Sequence, residues 1–164
     1  IEGPSALRNL GIEDVIKKGL SDKKNVHGRE GACMLVMTLF DEGVGHEVEP
    51  FIMNGVFETL AEAMGDKEKT VRQRAEDALL LVIRNMSTWG VPQVLRALLH
   101  QMRTAGKWQV KTGCIRLLEE LIQISPEIVA LCDDVRARGR LADTGSHDAT
   151  AFAWSHRAPN CYEA

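Results

Sequence analysis

Apolar residues recur along this chain with the period of a helix. Val71, Ala75, Ala78, Leu79, Val82 and Ile83 stand at i, i+4, i+7, i+8, i+11 and i+12, which places them on one face of a helix with 3.6 residues per turn. The spacing returns 39 residues later in Val110, Cys114, Leu117, Leu118, Leu121 and Ile122. It also occurs 43 residues earlier, with a weaker first position, in Gly28, Ala32, Leu35, Val36, Leu39 and Phe40. These three helices form an A series, and a B series interleaves with it. Pro50, Pro92 and Pro126 each precede a new apolar segment, and proline suits a first helical turn, where its missing N–H is not needed. Ser125-Pro126-Glu127 adds a capping serine and an acid favoured by the helix dipole. B helices are therefore expected to begin near 51, 93 and 127, and Ile12, Val15, Ile16 and Leu20 to close an earlier one. The expected helices cover 28–40, 51–64, 71–86, 93–102 and 110–124, with no sheet.

The repeat is visible in the turns as well: Leu20-Ser21-Asp22-Lys23-Lys24 matches Met64-Gly65-Asp66-Lys67-Glu68, 44 residues on. A period of 39 to 44 lies in or beside the range of about 40–47 residues for HEAT and armadillo units, above the 33 or 34 of ankyrin and tetratricopeptide repeats. Two helices per unit favour HEAT. The pattern predicts an all-α fold, a HEAT/armadillo-like α-solenoid of about three helix pairs, in which the apolar stripes face one another and stack from pair to pair. Met34, Met37 and Met64 read as packing residues.

Composition narrows the chemistry. The 164 residues are 45% hydrophobic, 26% charged and 5% aromatic, enough for one domain with a core of its own. No apolar run reaches about 18 residues, so no membrane-spanning helix is expected. The chain opens at Ile1 without a methionine or a signal-peptide pattern. It reads as a cytoplasmic protein and a piece of a longer one. Cys33, Cys114, Cys132 and Cys161 show no C-x-x-C spacing, and the first two lie on apolar helix faces, where a thiol packs as a small hydrophobe. No metal site and no cofactor are expected. There is no phosphate-binding G-x-x-x-x-G-K-[ST] loop, and Gly43-Val44-Gly45 reads as a turn between helices. His27, His46, His100, His147 and His156 have no nucleophile or carboxylate at a catalytic spacing, and Glu119-Glu120 reads as a solvated face. The chain is therefore read as a binding module, not an enzyme, with no small-molecule substrate.

Charge is distributed unevenly. The turns from a B helix to the next A helix, taken as 22–29, 66–74 and 103–111, hold ten basic residues against three acidic, a net of +7. The opposite turns, 41–50, 86–93 and 123–129, hold five acidic residues and no basic one, a net of −5. In a solenoid each set lies along one edge. A chain of net charge −3 thus carries a basic ridge: Lys23, Lys24, Arg29, Lys67, Lys69, Arg72, Arg74, Arg103, Lys107 and Lys111. Such a ridge can meet phosphates without reading bases, or it can simply keep the loops solvated. Trp108, beside Lys107, can stack on a base or guanidinium or wedge between repeats.

The stretch Gly106-Lys107-Trp108-Gln109-Val110-Lys111 leading into TGCIRLLEELIQISPEIVA, with DKKNVHGREGA, VEPFI and LAEAMGDKEKTVRQRAEDA in order before it, resembles the N-terminal HEAT domain of translation elongation factor 3. A related segment occurs in the activator of the general-control kinase. The resemblance covers residues 5 to 132. It implies a ribosome-bound factor that acts on exit-site tRNA and hydrolyses ATP through two cassettes absent from this chain. It also implies that the ten ridge cations and Trp108 dock on ribosomal RNA and ribosomal protein. The alternative is a protein-interaction scaffold, as in the kinase activator or transport receptors, whose B-helix face grips a partner helix. After Cys132 the resemblance stops, and large apolar residues become sparse and lose their period. The expected organisation is a HEAT segment at 1–132 and a disordered, non-family tail at 133–164, in which His147, His156 and Cys161 match no zinc spacing. Limited proteolysis should then trim the chain near residue 133 and leave the helical repeats folded. Loss of helicity on that cleavage would make the tail a structural cap and overturn this division.

Overall fold

The structure, a computed structural model, describes residues 11–41 and 45–126, all within one compact unit, Ile1–Val129. The B helix expected near 127 and the tail at 133–164 lie outside them. Among the described residues seven α-helices run in order: α1 Ile12–Ser21, α2 Val26–Asp41, α3 Gly45–Phe51, α4 Phe57–Ala63, α5 Lys69–Asn85, α6 Val91–Thr104 and α7 Trp108–Ile124, with a π-type turn at Ile52–Val56 between α3 and α4. No strand occurs among the described residues. The fold is an all-α solenoid. The A helices α2, α5 and α7 pack side by side as one layer, and α1, α4 and α6 as the other. Each B helix pairs most closely with the A helix that follows it across a short turn: α1 with α2, α4 with α5, α6 with α7.

Helix α5 shows why the stripe has its width. Val71, Ala75, Ala78, Leu79, Val82 and Ile83 are all fully buried, because α5 has an A helix on each side and α4 beneath it. The outer A helices are covered on one side only. In α2, Val36 and Phe40, the counterparts of Leu79 and Ile83, are buried, while Leu35 and Leu39, the counterparts of Ala78 and Val82, are half-buried. In α7 the reverse holds: Leu117 and Leu121 are buried, Leu118 is half-buried and Ile122 exposed. One set of positions thus faces the preceding A helix and the other the following one. Two further residues depart from expectation, since Val15 and Met34 are exposed. Val15 lies off the Ile12, Ile16, Leu20 face of α1. Met64 does pack, buried over Gly113 so closely that a Cβ there would lie 2.5 Å from its sulfur.

The second B segment is the main correction. It was expected to start near 51 behind Pro50, but α3 starts at Gly45 and contains Pro50. A proline at the sixth helical residue removes a ladder hydrogen bond and crowds the carbonyl four residues back. The segment then breaks at Asn54 (φ −88°, ψ 46°) and Gly55 (φ 90°, ψ −5°). Glycine is required at the second, because φ near +90° strains any residue with a Cβ. Helix α1 satisfies the break: Lys17 Nζ donates to the Asn54 carbonyl at 2.6 Å, and Asn54 Nδ2 donates to both Glu13 oxygens at 3.0 Å. The Lys17 ammonium, which also donates to Glu13 Oε1 at 2.5 Å, and after it the Asn54 amide hold the Glu13 carboxyl below its ordinary pKa. Pro92 behaves as expected, in the first turn of α6.

The B-to-A turns are cross-linked. Asp22 Oδ1 accepts the Lys24 N–H at 3.0 Å and Asp66 Oδ1 accepts the Glu68 N–H at 2.9 Å, the same side-chain turn one repeat apart. Arg29, only 2% exposed, donates to the Asp22 carbonyl at 2.7 Å, and two of its nitrogens lie 2.9 and 3.2 Å from the Asp66 carboxylate. Lys107 Nζ donates to the Gly65 carbonyl. Each turn is thereby tied to the next.

Two measurements check this packing. Leu79→Ala should cost about 2–5 kcal/mol in chemical denaturation, and Leu118→Ala, at a half-buried position, clearly less; equal costs would mean the two faces are misassigned. Burial tends to raise the Asp66 pKa, but the Glu68 N–H and Arg29 outweigh it and hold the carboxyl below the usual range. A lowered folded-state pKa gives stability that is present above the unfolded value, about 4, and is lost as pH falls through the folded one. Asp66→Asn should therefore destabilise by about 3 kcal/mol at neutral pH, leaving Arg29 buried without its counter-charge. It should also flatten the acid-side fall in stability; an unchanged pH slope would remove the pair from this role.

Candidate nucleic-acid interface

The ridge is built where the B helices end and the A helices begin. Helices α2, α5 and α7 all have their N-termini on this edge, and none has an acidic residue in its first turn. The partial positive charge at the N-termini of α2 and α7 is thus left uncancelled by their first turns, while α5 has Glu68 at its N-cap. Asn25 caps α2 through the Gly28 N–H at 2.9 Å, whereas α5 and α7 have no side-chain cap. Backbone dipoles and side-chain cations reinforce each other on the A-layer side of the edge.

The ten ridge cations divide into two groups. Lys23, Lys24, Lys67, Lys69, Arg74, Arg103 and Lys111 are exposed and hold no salt bridge among the described residues. Arg29, Arg72 and Lys107 are engaged in the fold. Arg29 is buried on Asp66, which takes it off the exposed surface of the ridge. Arg72 is half-buried and donates to the Asp66 and Lys67 carbonyls at 2.8 and 2.9 Å, the contact that Arg29 makes to Asp22 one repeat earlier. Lys107 is exposed along its chain while its ammonium meets Gly65. The three hold the turns that carry the other seven. Trp108 is 70% exposed, so it does not wedge between repeats.

Two hollows lie along the ridge. A cleft of about 660 Å³ opens between the three turns, with Lys23, Arg29, Asp66, Lys107, His100 and Gln101 among its lining. His100 reads from the sequence only as a histidine without a catalytic partner, and Gln101 carries no signal there; they follow Leu98 on α6 by two and three residues. A second hollow of about 450 Å³ between α5 and α7 is lined by Lys69, Arg72, Gln73, Glu76, Asp77 and Arg116. Its Arg116 pairs with Glu76 at 3.0 Å, and Arg84 pairs with Glu120 at 2.6 Å on the same layer. These pairs are largely exposed and contribute little to stability.

The opposite edge is less acidic at its surface than the sequence suggests. Glu49 is 2% exposed and accepts the Ser87 N–H at 3.0 Å and the Ser87 hydroxyl at 2.8 Å. It anchors the turn before α6. Glu47 is exposed; Glu42 lies outside the described residues. Burial pushes the thiols of Cys33 and Cys114 up to about 11, so both are protonated at neutral pH and unreactive. Among the described residues no cluster of three His, Cys, Asp or Glu side chains is placed to hold a metal, and no helix is long and apolar enough to cross a membrane.

Comparison with known proteins agrees with the fold. The family model described as "EF3 N-terminal HEAT repeat" matches residues 2–133. Elongation factor 3 of Mycosarcoma maydis is 60% identical over 130 residues, 79% of this chain and 12% of that protein. Elongation factor 3 of Gonapodya prolifera is 32% identical over 125 residues, 76% of this chain and 11% of its own length. The human protein named stalled ribosome sensor GCN1 is 28% identical over 130 residues, 79% of this chain and 5% of its own length. The chain therefore spans about an eighth or less of these relatives. No solved structure matches it significantly. With a helical repeat of the expected period, turns that recur in register and a match across most of its length, the chain belongs to the EF3 N-terminal HEAT repeat family.

Proposed function

We propose that this chain is a ribosome-docking module of a translation elongation protein, and that its basic ridge lies against ribosomal RNA. The observation that carries the reading is the gathering of seven exposed cations from three successive turns on one edge, in a chain whose net charge is −3. Three helix N-termini without acidic residues in their first turns add to that edge, although α5 has Glu68 at its N-cap. The printed names of the relatives, elongation factor 3 and stalled ribosome sensor, support a ribosomal partner. A HEAT stack offers an extended surface and no catalytic constellation, so its part is to bind and orient, and any ATP turnover belongs elsewhere in a longer protein. The scaffold reading would instead place an apolar partner helix on the B layer.

Salt separates the two readings. Phosphate contacts release counterions, so affinity falls steeply with salt by about one unit of logarithmic slope per contact, whereas an apolar groove shows little dependence. Lys69, Arg74 and Lys111 are the residues to reverse, because all three are exposed and none holds a turn together. Reversal of the three to glutamate should weaken co-sedimentation with ribosomes about 10-fold or more at low salt and lower the salt slope by about three units, with helicity unchanged. Glu47→Lys on the opposite edge is the control and should change little; Glu49, being buried, is not suitable. Equal binding by the wild type and the triple reversal would remove the ridge from the interface and favour the scaffold.

A further inference from the structure

The place of Trp108 in the repeat distinguishes it from Ile122, another exposed apolar residue on α7. Val71 corresponds to Val110 at a spacing of 39 residues, so Lys69 corresponds to Trp108. Lys69 is exposed although α7 packs against α5 as the following A helix. Helix α5 thus leaves this position open to solvent even where a further repeat follows, while in α2 it is the half-buried Val26. Ile122 is different: it is 40% exposed, but its counterpart Ile83 is fully buried. Ile122 is a core position without a following neighbour among the described residues, whereas Trp108 occupies a position that α5 leaves at the surface. An indole at a position that takes lysine one repeat earlier contributes nothing to the core.

The surroundings of Trp108 select its ligand. Lys111 stands one helical turn on, a spacing that brings side chains to the same face. Arg103 ends α6 and Lys107 precedes the indole; residues 103–111 hold three basic residues and no acid. An exposed indole face has two common partners, a nucleobase and a protein cation. The cluster of like charges repels a lysine or arginine and attracts a phosphate. Duplex RNA keeps its base faces inside the stack, while loops, bulges and single strands present them. Building on the reading of the ridge as an RNA-docking edge, we infer that Trp108 is a stacking platform for an unpaired RNA base, with Arg103 and Lys111 meeting the adjoining phosphates. The third turn of the ridge thereby takes looped or single-stranded RNA, and the first two turns track backbone.

The full 164-residue chain with Trp89→Phe and Trp154→Phe leaves Trp108 as its one indole. Its fluorescence should be quenched by a single-stranded oligouridylate of about 12 nucleotides, a length within the usual site size of such surfaces, and much less by an RNA duplex of that length. Trp108→Ala should weaken binding of the single strand about 5- to 100-fold, leave the salt slope unchanged and leave duplex affinity within about 2-fold; Trp108→Phe should restore most of the loss. Equal losses for single strand and duplex, no loss for either, or no quenching would each overturn the inference. The triple reversal of Lys69, Arg74 and Lys111 locates the failure. If it abolishes RNA binding while Trp108→Ala binds single strands normally, stacking is wrong and the ridge stands; if it leaves RNA affinity and salt slope untouched, the ridge reading falls and takes the inference with it. A Trp108→Ala chain that binds RNA normally but loses the ribosome assigns the indole to a ribosomal protein, which also overturns it.

Discussion

An A helix of this chain carries an apolar face too wide for one partner to cover. Six positions spread over i to i+12 span more than the narrow seam of a two-stranded coil, and in α5 all six are buried only because α2, α7 and α4 approach from three directions. That requirement for two-sided burial forces the helices to stack. Stacking at a constant period brings every B-to-A turn to the same edge, and the ridge follows. No single turn carries enough charge to make a surface. Three in register do.

The edge so formed has to be held together before it can bind anything, since about 8–10 Å separates neighbouring helices and the turns on them repel one another at that range. The chain meets this with part of its own basic set. Arg29 reaches from one turn to the Asp66 carboxylate of the next, Arg72 draws in the Asp66 and Lys67 carbonyls, and Lys107 takes the Gly65 carbonyl. The carbonyls lie at or just beyond the C-terminal end of α4, where backbone oxygens lack helical partners and favour a cation. Charge that would otherwise add to the repulsion is converted into links between turns by Arg29 and Lys107 and into a brace within one turn by Arg72.

Much of this was legible in the sequence, and the exceptions have physical reasons. The stripe of α5 reads directly from spacing because that helix is surrounded, and the all-helical stack and the edge of each turn follow from the period. Leu118 and Ile122 carry the same pattern without full burial, since burial depends on a neighbour and not on the residue. Pro50 misled because proline marks a first turn only by preference; here α3 begins five residues before it, and the strain is taken up at Asn54 and Gly55 by Glu13 and Lys17. Arg29 reads as one more surface cation, and no local signal separates it from Lys23 or Lys24. Its partner Asp66 is 37 residues away, and only the stacking of turns brings the two together. Trp108 reads from the sequence as either a surface or a wedged residue, and its 70% exposure decides for the surface.

The division of the cations has a consequence for how the edge responds to its medium. Surface charges are screened over about 8–10 Å at moderate ionic strength, whereas a buried pair is screened far less. Arg29 and Asp66 belong to the second class and the seven exposed cations to the first. Raising salt therefore weakens attraction of the ridge for phosphate while leaving the latch between turns nearly intact, and it also relieves the repulsion among the exposed cations. Stability of the stack and affinity of its edge thus move in opposite directions with salt. Acid acts the other way round: protonation of Asp66 releases the latch, while the lysines and arginines keep their charge throughout that range. Of the ten basic residues, Arg29, Arg72 and Lys107 hold the turns through carbonyls and a carboxylate, and the other seven are left for the proposed docking.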